Sequence, residues 1–540
     1  MKPMTRIHTT LLASSAAAAA LLLAGCSPKT EVPKTAVPPS ATSAAATTAT
    51  TTDTTVLTVG LLGDIGMPPD PDVYYANNGL AITLNAYEGL VQYKNASAKP
   101  EIAPRLATSW TVSPDNTLYT FKLRSGVTFH DGTEFNSAAV KASFDRRLAV
   151  KGGPAYMVQG ATVTTPDRLT VVIKLAESNA AFLDYLASPY GPKMLSPTGL
   201  AKNAGTDHAQ TYLQTKDLGT GPYELTDAQV GTKYTMTQYP KYWGTMAPFK
   251  TVVLPVYQDV SALELALDKG DVAVVASALP SSSLSKYESN PAFSNHMLPT
   301  FQGSLVTVNP SRPFFANKEA RLAFMKSIDV AKLVPQVLGS RAVAATTLYA
   351  KGMLADGSDK QDAAFDPKAM TTYASKLPAG TAVLVGYASE NSNAQQLANI
   401  VAAQLLASGL KATAQGYPTS EVFGWANDPV KGPDAFIDGN NGPDGGNPYM
   451  WGHVFWDKTG GINYFLCDEP AVNKALDQAV KQNDSALFGK AAQMYAATGC
   501  YLHLSDNLDW VVAQKWLGGI AEAQNIGANE LDFSKLTIQK

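Results

Sequence analysis

From residue 56 onward the apolar positions follow two periodicities. "VLTVGLL" (56–62) is a short apolar strand, and "GDIGMPPDPDVYYANNG" after it is a loop dense in Gly, Pro and Asp. A loop leaving the end of a strand is a common place for ligand contacts. "LYTFKLRSGVTFHDGTEF" (118–135) alternates apolar and polar residues about a Ser-Gly step, which predicts a hairpin. "SAAVKASFDRRL" follows with a helical pattern and Ser137 as its N-cap. "LTVVIKL" (169–175) and "YTMTQY" (234–239) are strands by their β-branched and aromatic content. "AVLVGY" (382–387) opens a β-α-β unit. Leu397, Ile400, Val401 and Leu405 recur at helical spacing, Gly409 stops that helix, and 410–414 begins the next strand. A further amphipathic helix is predicted over 471–482. The pattern is α/β without short-period repeats, and a body of this length divides into two or three domains.

The first residues follow a different pattern. Lys2 and Arg6 make the start basic, and 11–23 is an uncharged Ala/Leu run. That run is shorter than the ~20 residues a membrane-spanning helix needs. A basic start, a short apolar core and small residues before a cut site predict a secretory signal over 1–25. Leu23-Ala24-Gly25-Cys26 resembles the bacterial lipobox, which implies that Cys26 is lipidated and becomes the first residue after cleavage. The competing reading is a buried N-terminal helix ending at a chance cysteine. Residues 27–55 hold almost no large apolar side chain, so they cannot offset the entropy of ordering. Residues 26–55 therefore read as a lipidated cysteine and disordered tether with a reach on the order of 30 Å. The expected location is the outer face of the cytoplasmic membrane, in a periplasm or at a cell surface.

Composition narrows the function. Lys and Arg number 42 against 45 Asp and Glu, a balance that argues against nucleic acid as a partner. No second long apolar segment occurs, so the body is expected to be soluble. Apart from Cys26 the cysteines are Cys467 and Cys500. In an exported protein such a pair points to a disulfide, with two separate buried thiols as the alternative. There is no G-x-S-x-G, no H-E-x-x-H and no P-loop, so neither an enzyme nor a cofactor is expected. None of the six histidines is paired at metal-ligand spacing and no cysteine cluster accompanies them, so no metal site is expected.

"NAYEGLVQY" and the run from "IAPRLATSW" to Arg146 resemble the signature region of the extracellular solute-binding proteins of family 5, the oligopeptide-, dipeptide- and nickel-binding receptors of ABC importers. The resemblance continues through "GTGPYEL" (219–225), "YPKYWG" (239–244) and "VSALELALDKGDVAVVASAL" (260–279). "VNPSRPFFANKEARLAFMKSIDVAKLV" (308–334) and "FLCDEPAVNKALDQA" (465–479) extend it in the same order. It implies an α/β, two-lobed periplasmic-binding-protein fold with hinge strands and an extra domain on the N-terminal lobe. The first lobe would use 56–84, 218–296 and 503–540, the extra domain 85–217, and the second lobe 297–502. The implied function is a lipid-anchored, monomeric receptor. It would close about its hinge over a small solute of the peptide or peptide-like class and deliver it to the permease subunits of an ABC importer. A surface receptor for signalling or adhesion without transport would need the same cleft. Sugars, opines or a metal complex are alternative solutes on the same scaffold.

Family placement puts three loops at the cleft. The first holds Asp70 and Asp72 as polar contacts and Tyr74 and Tyr75 as an aromatic wall, against the reading of an ordinary Pro/Asp turn. The second is Phe301-Gln302-Gly303 at the hinge, with Gln302 a ligand contact and Phe301 divided between contact and core packing. The third is "DGNNGPDGGNPYMWGHVF" (438–455), where peptide receptors of the family carry a Trp-x-x-Asp-x-x-Asp-Pro-like run whose first Asp holds the ligand's α-ammonium. Here Asn440 and Asn441 stand at that place, followed by Asp444. An amide supplies no countercharge, which favours a neutral or anionic solute unless Asp438 or Asp444 substitutes. Trp451 is an aromatic contact candidate; for Trp425, packing under the loop is at least an equal reading. Arg312, Arg321 and Arg341 are candidates for a ligand carboxylate, with Arg321 reading as structural. His130, within "FHDGT", reads as structural, and His453 is the one histidine near a cleft loop.

Overall fold

The computed structural model describes residues 55–539 apart from positions 77, 78, 277, 355, 362, 363 and 529. The expected leader, Cys26 and the tether up to residue 54 lie outside the described residues. Two long strands organise the rest. Phe293–Val308 and Tyr501–Gln514 run antiparallel, in register from Phe293↔Gln514 to Thr307↔Tyr501. At one end Val274–Ala276 pairs with the second of them. At the other, Ala435–Asn441 pairs with the first and leads on to the parallel strands Ala382–Ala388 and Lys411–Tyr417. The ladder between the long strands breaks between Pro299 and Gly303 and shifts again between Ser304 and Leu305. Proline donates no hydrogen bond. Gly303 lies against the partner strand, where a Cβ would come within 2.6 Å of both the Ser505 carbonyl oxygen and His503 Nε2.

A second sheet lies on the first side of this break. Val56–Thr58 and Leu61–Leu62 run parallel to Thr251–Tyr257, which pairs antiparallel with Lys233–Gln238 and, through it, with Tyr223–Gln229. A separate antiparallel sheet joins Ala107–Val112, Leu118–Leu123, Thr170–Leu175 and Ala161–Asp167. Helix Ser137–Val150 packs with it around the buried rings of Phe121, Phe129, Phe135 and Phe144. Among the described residues no helix is long and apolar enough to cross a membrane.

The β-α-β unit forms as its periodicity predicts. Helix Ser392–Ala407 starts at Asn391, whose side chain accepts from the Ala394 amide, and buries Leu397, Val401 and Leu405. Gly409 adopts φ +92°, and the next strand begins at Lys411. Two expectations differ. The hairpin over 118–135 does not form: Leu118–Leu123 pairs with Ala107–Val112 and Thr170–Leu175, while 124–135 contributes an isolated bridge, Thr128↔Glu134. The alternation there serves to bury Phe129 and Phe135 on an irregular loop. The helix cap is Asn136, not Ser137; its side chain accepts from the amides of Ala138 and Ala139.

Two contacts fasten distant segments. Cys467 and Cys500 are disulfide-bonded with their Cα atoms 6.5 Å apart, tying the approach to helix Pro470–Gln482 to the start of the long C-terminal strand. With the cysteines 33 positions apart in sequence, the loop-closure model predicts that reducing the bond, or a Cys467→Ser/Cys500→Ser double variant, lowers the unfolding free energy by about 3–4 kcal/mol in a urea titration. His130 contacts the Asp217 carboxylate through Nδ1 and the Gly221 carbonyl through Nε2, at 3.0 Å for the latter. Burial pulls its pKa down and Asp217 pulls it up, leaving it raised. The folded state thus holds this proton more tightly than the unfolded chain does. The stabilisation is complete below the unfolded value of about 6.5 and is lost as pH rises through the folded one. His130→Gln is expected to narrow the stability difference from wild type as denaturation is repeated from about pH 6 to about pH 9; a constant difference would contradict this.

Candidate functional site

The loop after Leu61–Leu62 is held from beneath. Asp70 receives Arg146 Nη1 at 2.8 Å and Nη2 at 2.6 Å, and Asp72 receives Arg146 Nη1 at 2.6 Å and Arg147 Nε at 2.8 Å. Arg147 donates its remaining protons to the carbonyls of Pro71, Pro154, Tyr190 and Gly191. Both carboxylates and both guanidiniums are buried. Burial pushes the Asp70 pKa up, against the pull of Arg146. The expectation that Asp70 and Asp72 contact ligand is therefore corrected. Their oxygens face two adjacent arginines of helix Ser137–Val150 and fix the loop's course. Tyr74 is also buried, its hydroxyl accepting from the Gly79 amide, so it is packing and not a wall.

Tyr75 turns the other way. The residue is 39% exposed, and its hydroxyl donates to Asp444 Oδ2 at 2.6 Å. The same oxygen accepts the hydroxyl of Tyr156, which lies on the short helical turn Gly153–Val158. Gly152 and Gly153 let that turn approach the loop. A Cβ on Gly152 would meet the Asp72 carbonyl, and one on Gly153 would lie 2.8 Å from the Tyr75 ring. Asp444 itself comes from the segment between strand Ala435–Asn441 and helix Pro448–Phe455. Burial raises its pKa, and the two phenols and His453 pull it down. Neighbouring bonds join the same surfaces. The Gly446 amide donates to Tyr93 Oη at 2.7 Å, and Tyr93 donates to Asp184 Oδ1 at 3.0 Å. Phe301 is buried, its ring edge-on to Tyr93 and against Gly446.

The amide cluster sits at the break in the long ladder. Asn507 Nδ2 donates to Asn440 Oδ1 at 2.8 Å and to the Gly439 carbonyl at 3.2 Å. The Ser304 hydroxyl reaches that carbonyl at 2.8 Å, and Ser505 donates to Asn507 Oδ1 at 2.7 Å. Asn441 donates to Asp438 Oδ2 at 2.5 Å. Burial lifts the Asp438 pKa to about 6, with Asn441, the Asn440 amide and Tyr464 pulling it down. Gln302 lies beside Gly442, and its buried Oε1 accepts no hydrogen bond from the described residues. Trp451 is corrected from a contact to a core residue. It is fully buried against Phe455 and His503, with Nε1 donating to the Tyr501 hydroxyl at 3.1 Å. Trp425 packs against Tyr417, Phe436 and Phe465.

Of the three arginines, Arg312 pairs with Asp434 and Arg321 donates to the carbonyls of Thr498 and Phe315. Arg341 donates to the Leu279 carbonyl and lies over the Trp510 ring. His453 stacks on Tyr449. Among the described residues no group of three or more His, Cys, Asp or Glu could hold a metal ion. Sequence reasoning missed Tyr156, Tyr93, Asp184 and Asn507; no local motif marks them, because each acts on a partner far along the chain. Glu530 was missed as well. Burial, with Asp509 adding to it, raises its carboxyl pKa well above the usual range. The surface around Asp444 is thus rich in carboxyl and phenol oxygens, a set suited to cations and hydrogen-bond donors.

The profile of the bacterial extracellular solute-binding proteins, family 5 Middle, matches residues 101–463. A probable D,D-dipeptide-binding periplasmic protein of Escherichia coli is 27% identical over 423 residues, covering 77% of this chain and 81% of its own. Among solved structures, a periplasmic binding protein of Helicobacter pylori in complex with the peptide STSA superposes with a TM-score of 0.76 at 20% identity, covering 90% of this chain and 98% of its own. NikA of Brucella suis in complex with Fe(III)-EDTA superposes with a TM-score of 0.78 at 21% identity, covering 90% and 100%. The architecture is accordingly the α/β, two-lobed periplasmic-binding-protein fold.

The buried charge network yields a test that separates scaffold from site. Asp72→Asn strands charge on Arg146 and Arg147, and is expected to cost about 3–5 kcal/mol of stability. The folded fraction should bind solute with wild-type affinity, measured by calorimetry below the variant's melting temperature.

Proposed function

The chain belongs to the bacterial extracellular solute-binding proteins of family 5, and from that premise we propose that it is the receptor of an ABC importer that closes over a peptide-like solute bearing a free amino group. The lobes would comprise 56–84, 218–296 and 503–540 on one side and 297–502 on the other, with 85–217 as the extra domain of the first. The interrupted pairing at Pro299–Gly303 supports a hinge there, since unpaired backbone absorbs rotation more readily than a continuous ladder. A lipid on Cys26 would hold the receptor near the permease and raise its effective concentration there. A single polypeptide suffices for this cycle, and no bond of the solute is made or broken in it.

The observation that carries the reading is Asp444. It comes from the second lobe of this layout and meets Tyr75 and Tyr156 of the other side in one shared oxygen. It supplies the countercharge that Asn440 and Asn441 lack. An ammonium can take the place of the phenol donors with a charge-assisted bond, roughly twice as strong as a neutral one. Tyr75, Gln302, Asn440 and Asn441 would then contact the remainder of the solute. Phe301 would back them from beneath.

The test is calorimetric titration of the full-length chain with paired di- and tripeptides, free and N-acetylated. Free amines are expected to bind at least ~30-fold tighter, about 2 kcal/mol, and Asp444→Asn to erase that preference. Equal affinity for both forms would overturn the assignment. Because burial raises the Asp444 pKa, protonation competes with the ammonium. Affinity for free amines should fall as pH is lowered through that raised value, while N-acetylated peptides show no such loss.

A further inference from the structure

His503 lies near the start of the strand Tyr501–Gln514 and is fully buried. Its Nδ1 is 3.0 Å from the Thr347 carbonyl oxygen and its Nε2 is 3.0 Å from the Ser505 carbonyl oxygen. A carbonyl oxygen only accepts, and a neutral imidazole has one N–H to give. Both contacts are hydrogen bonds only if the ring carries two protons. A neutral ring would set a nitrogen lone pair against a carbonyl oxygen in a place closed to solvent.

The surroundings fit a positive ring. The strand Phe293–Val308 brings Gly303 and Leu305 against His503, neither of them titratable. Gly303 leaves space that a Cβ would fill at 2.6 Å from Nε2. Helix Pro448–Phe455 contributes the Trp451 ring, with centroids 5.3 Å apart. The titratable groups facing the imidazole are both acids. Asp506 Oδ1 is 3.9 Å from Nε2. Asp359 is buried, its Oδ1 accepts no hydrogen bond from the described residues, and it is drawn toward its charged form by His503.

The contacts made here hold one particular segment. Ala345 donates to the Leu504 carbonyl, Tyr501 Oη donates to the Leu348 carbonyl, and the Lys351 amide donates to Asp506 Oδ1 at 2.8 Å. Gln361 pairs with the backbone of His503 itself through both ends of its amide. Segment 345–353 then reaches across to the 85–217 region, where a Cβ on Gly352 would lie 3.4 Å from the Ala98 carbonyl.

We propose that His503 is a buried imidazolium whose two ring N–H groups, one to the Thr347 carbonyl and one to the Ser505 carbonyl, bolt segment 345–353 to the long C-terminal strand. Asp506 and Asp359 supply the countercharge that lets the proton stay.

The test uses the full-length chain labelled with 15N at histidine. Long-range proton–nitrogen correlation at about pH 6, with His503→Gln to assign the signal, should show both ring nitrogens of His503 protonated. One bare ring nitrogen at that pH would overturn the proposal. Hydrogen exchange at about pH 6 supplies a second readout. His503→Gln should accelerate exchange across 345–353 about tenfold, while helix Ser392–Ala407 is unaffected. Unchanged exchange across 345–353 would likewise overturn the proposal. His130→Gln should leave exchange there as in the wild type, which distinguishes His503 from the other histidine lodged between two acceptors.

Discussion

The structure depends on one pair of strands that belongs to both of its sides. Phe293–Val308 and Tyr501–Gln514 carry the first sheet's neighbour Val274–Ala276 at one end and the α/β strands of the second side at the other. Because the backbone is continuous through the middle, the two sides are joined through both strands at the place where pairing lapses. Pro299 and Gly303 bound that place, and Ser304, Ser505, Asn507 and the Gly439 carbonyl replace the missing ladder with side-chain bonds. Side-chain bonds tolerate a change in angle that a regular ladder resists.

Charge is distributed in keeping with this. The fully buried ion pairs, Asp70 and Asp72 with Arg146 and Arg147, lie within one side and are satisfied on every oxygen. Asp444, a carboxylate between the sides, receives the phenol hydroxyls of Tyr75 and Tyr156 among the described residues. A desolvated anion without a cation is held by hydrogen bonds weaker than those a cation would make. The first loop is thus held by full ion pairs, whereas Asp444 is held by phenol donors.

Much of the fold was legible in the residues. The β-α-β unit of 382–417 has its cap, periodicity and stop signal within a few residues of one another, and local rules suffice for it. Where alternation was misread, over 118–135, two phenylalanines were facing a core from an irregular loop, and pattern alone cannot tell that from a strand. The site was legible only by halves. Asp444 and Tyr75 stood out as candidates, yet they meet across 369 residues, and Tyr156 joins them across 288. Asp70, Asp72 and Trp451 are of the same residue types as the other candidates. Only burial, through Arg146, Arg147 and the Trp451 pocket, reveals that they face inward.

The central pair of strands also governs when the molecule can come into being. Ser304 and Ser505 meet across 201 residues, so the pairing of the two long strands cannot form until nearly all of the polypeptide has emerged. Long-range pairing of this kind forms slowly. A nascent chain of this design stays unfinished during most of its synthesis, which suits a protein whose working place lies beyond a membrane that folded domains do not readily pass.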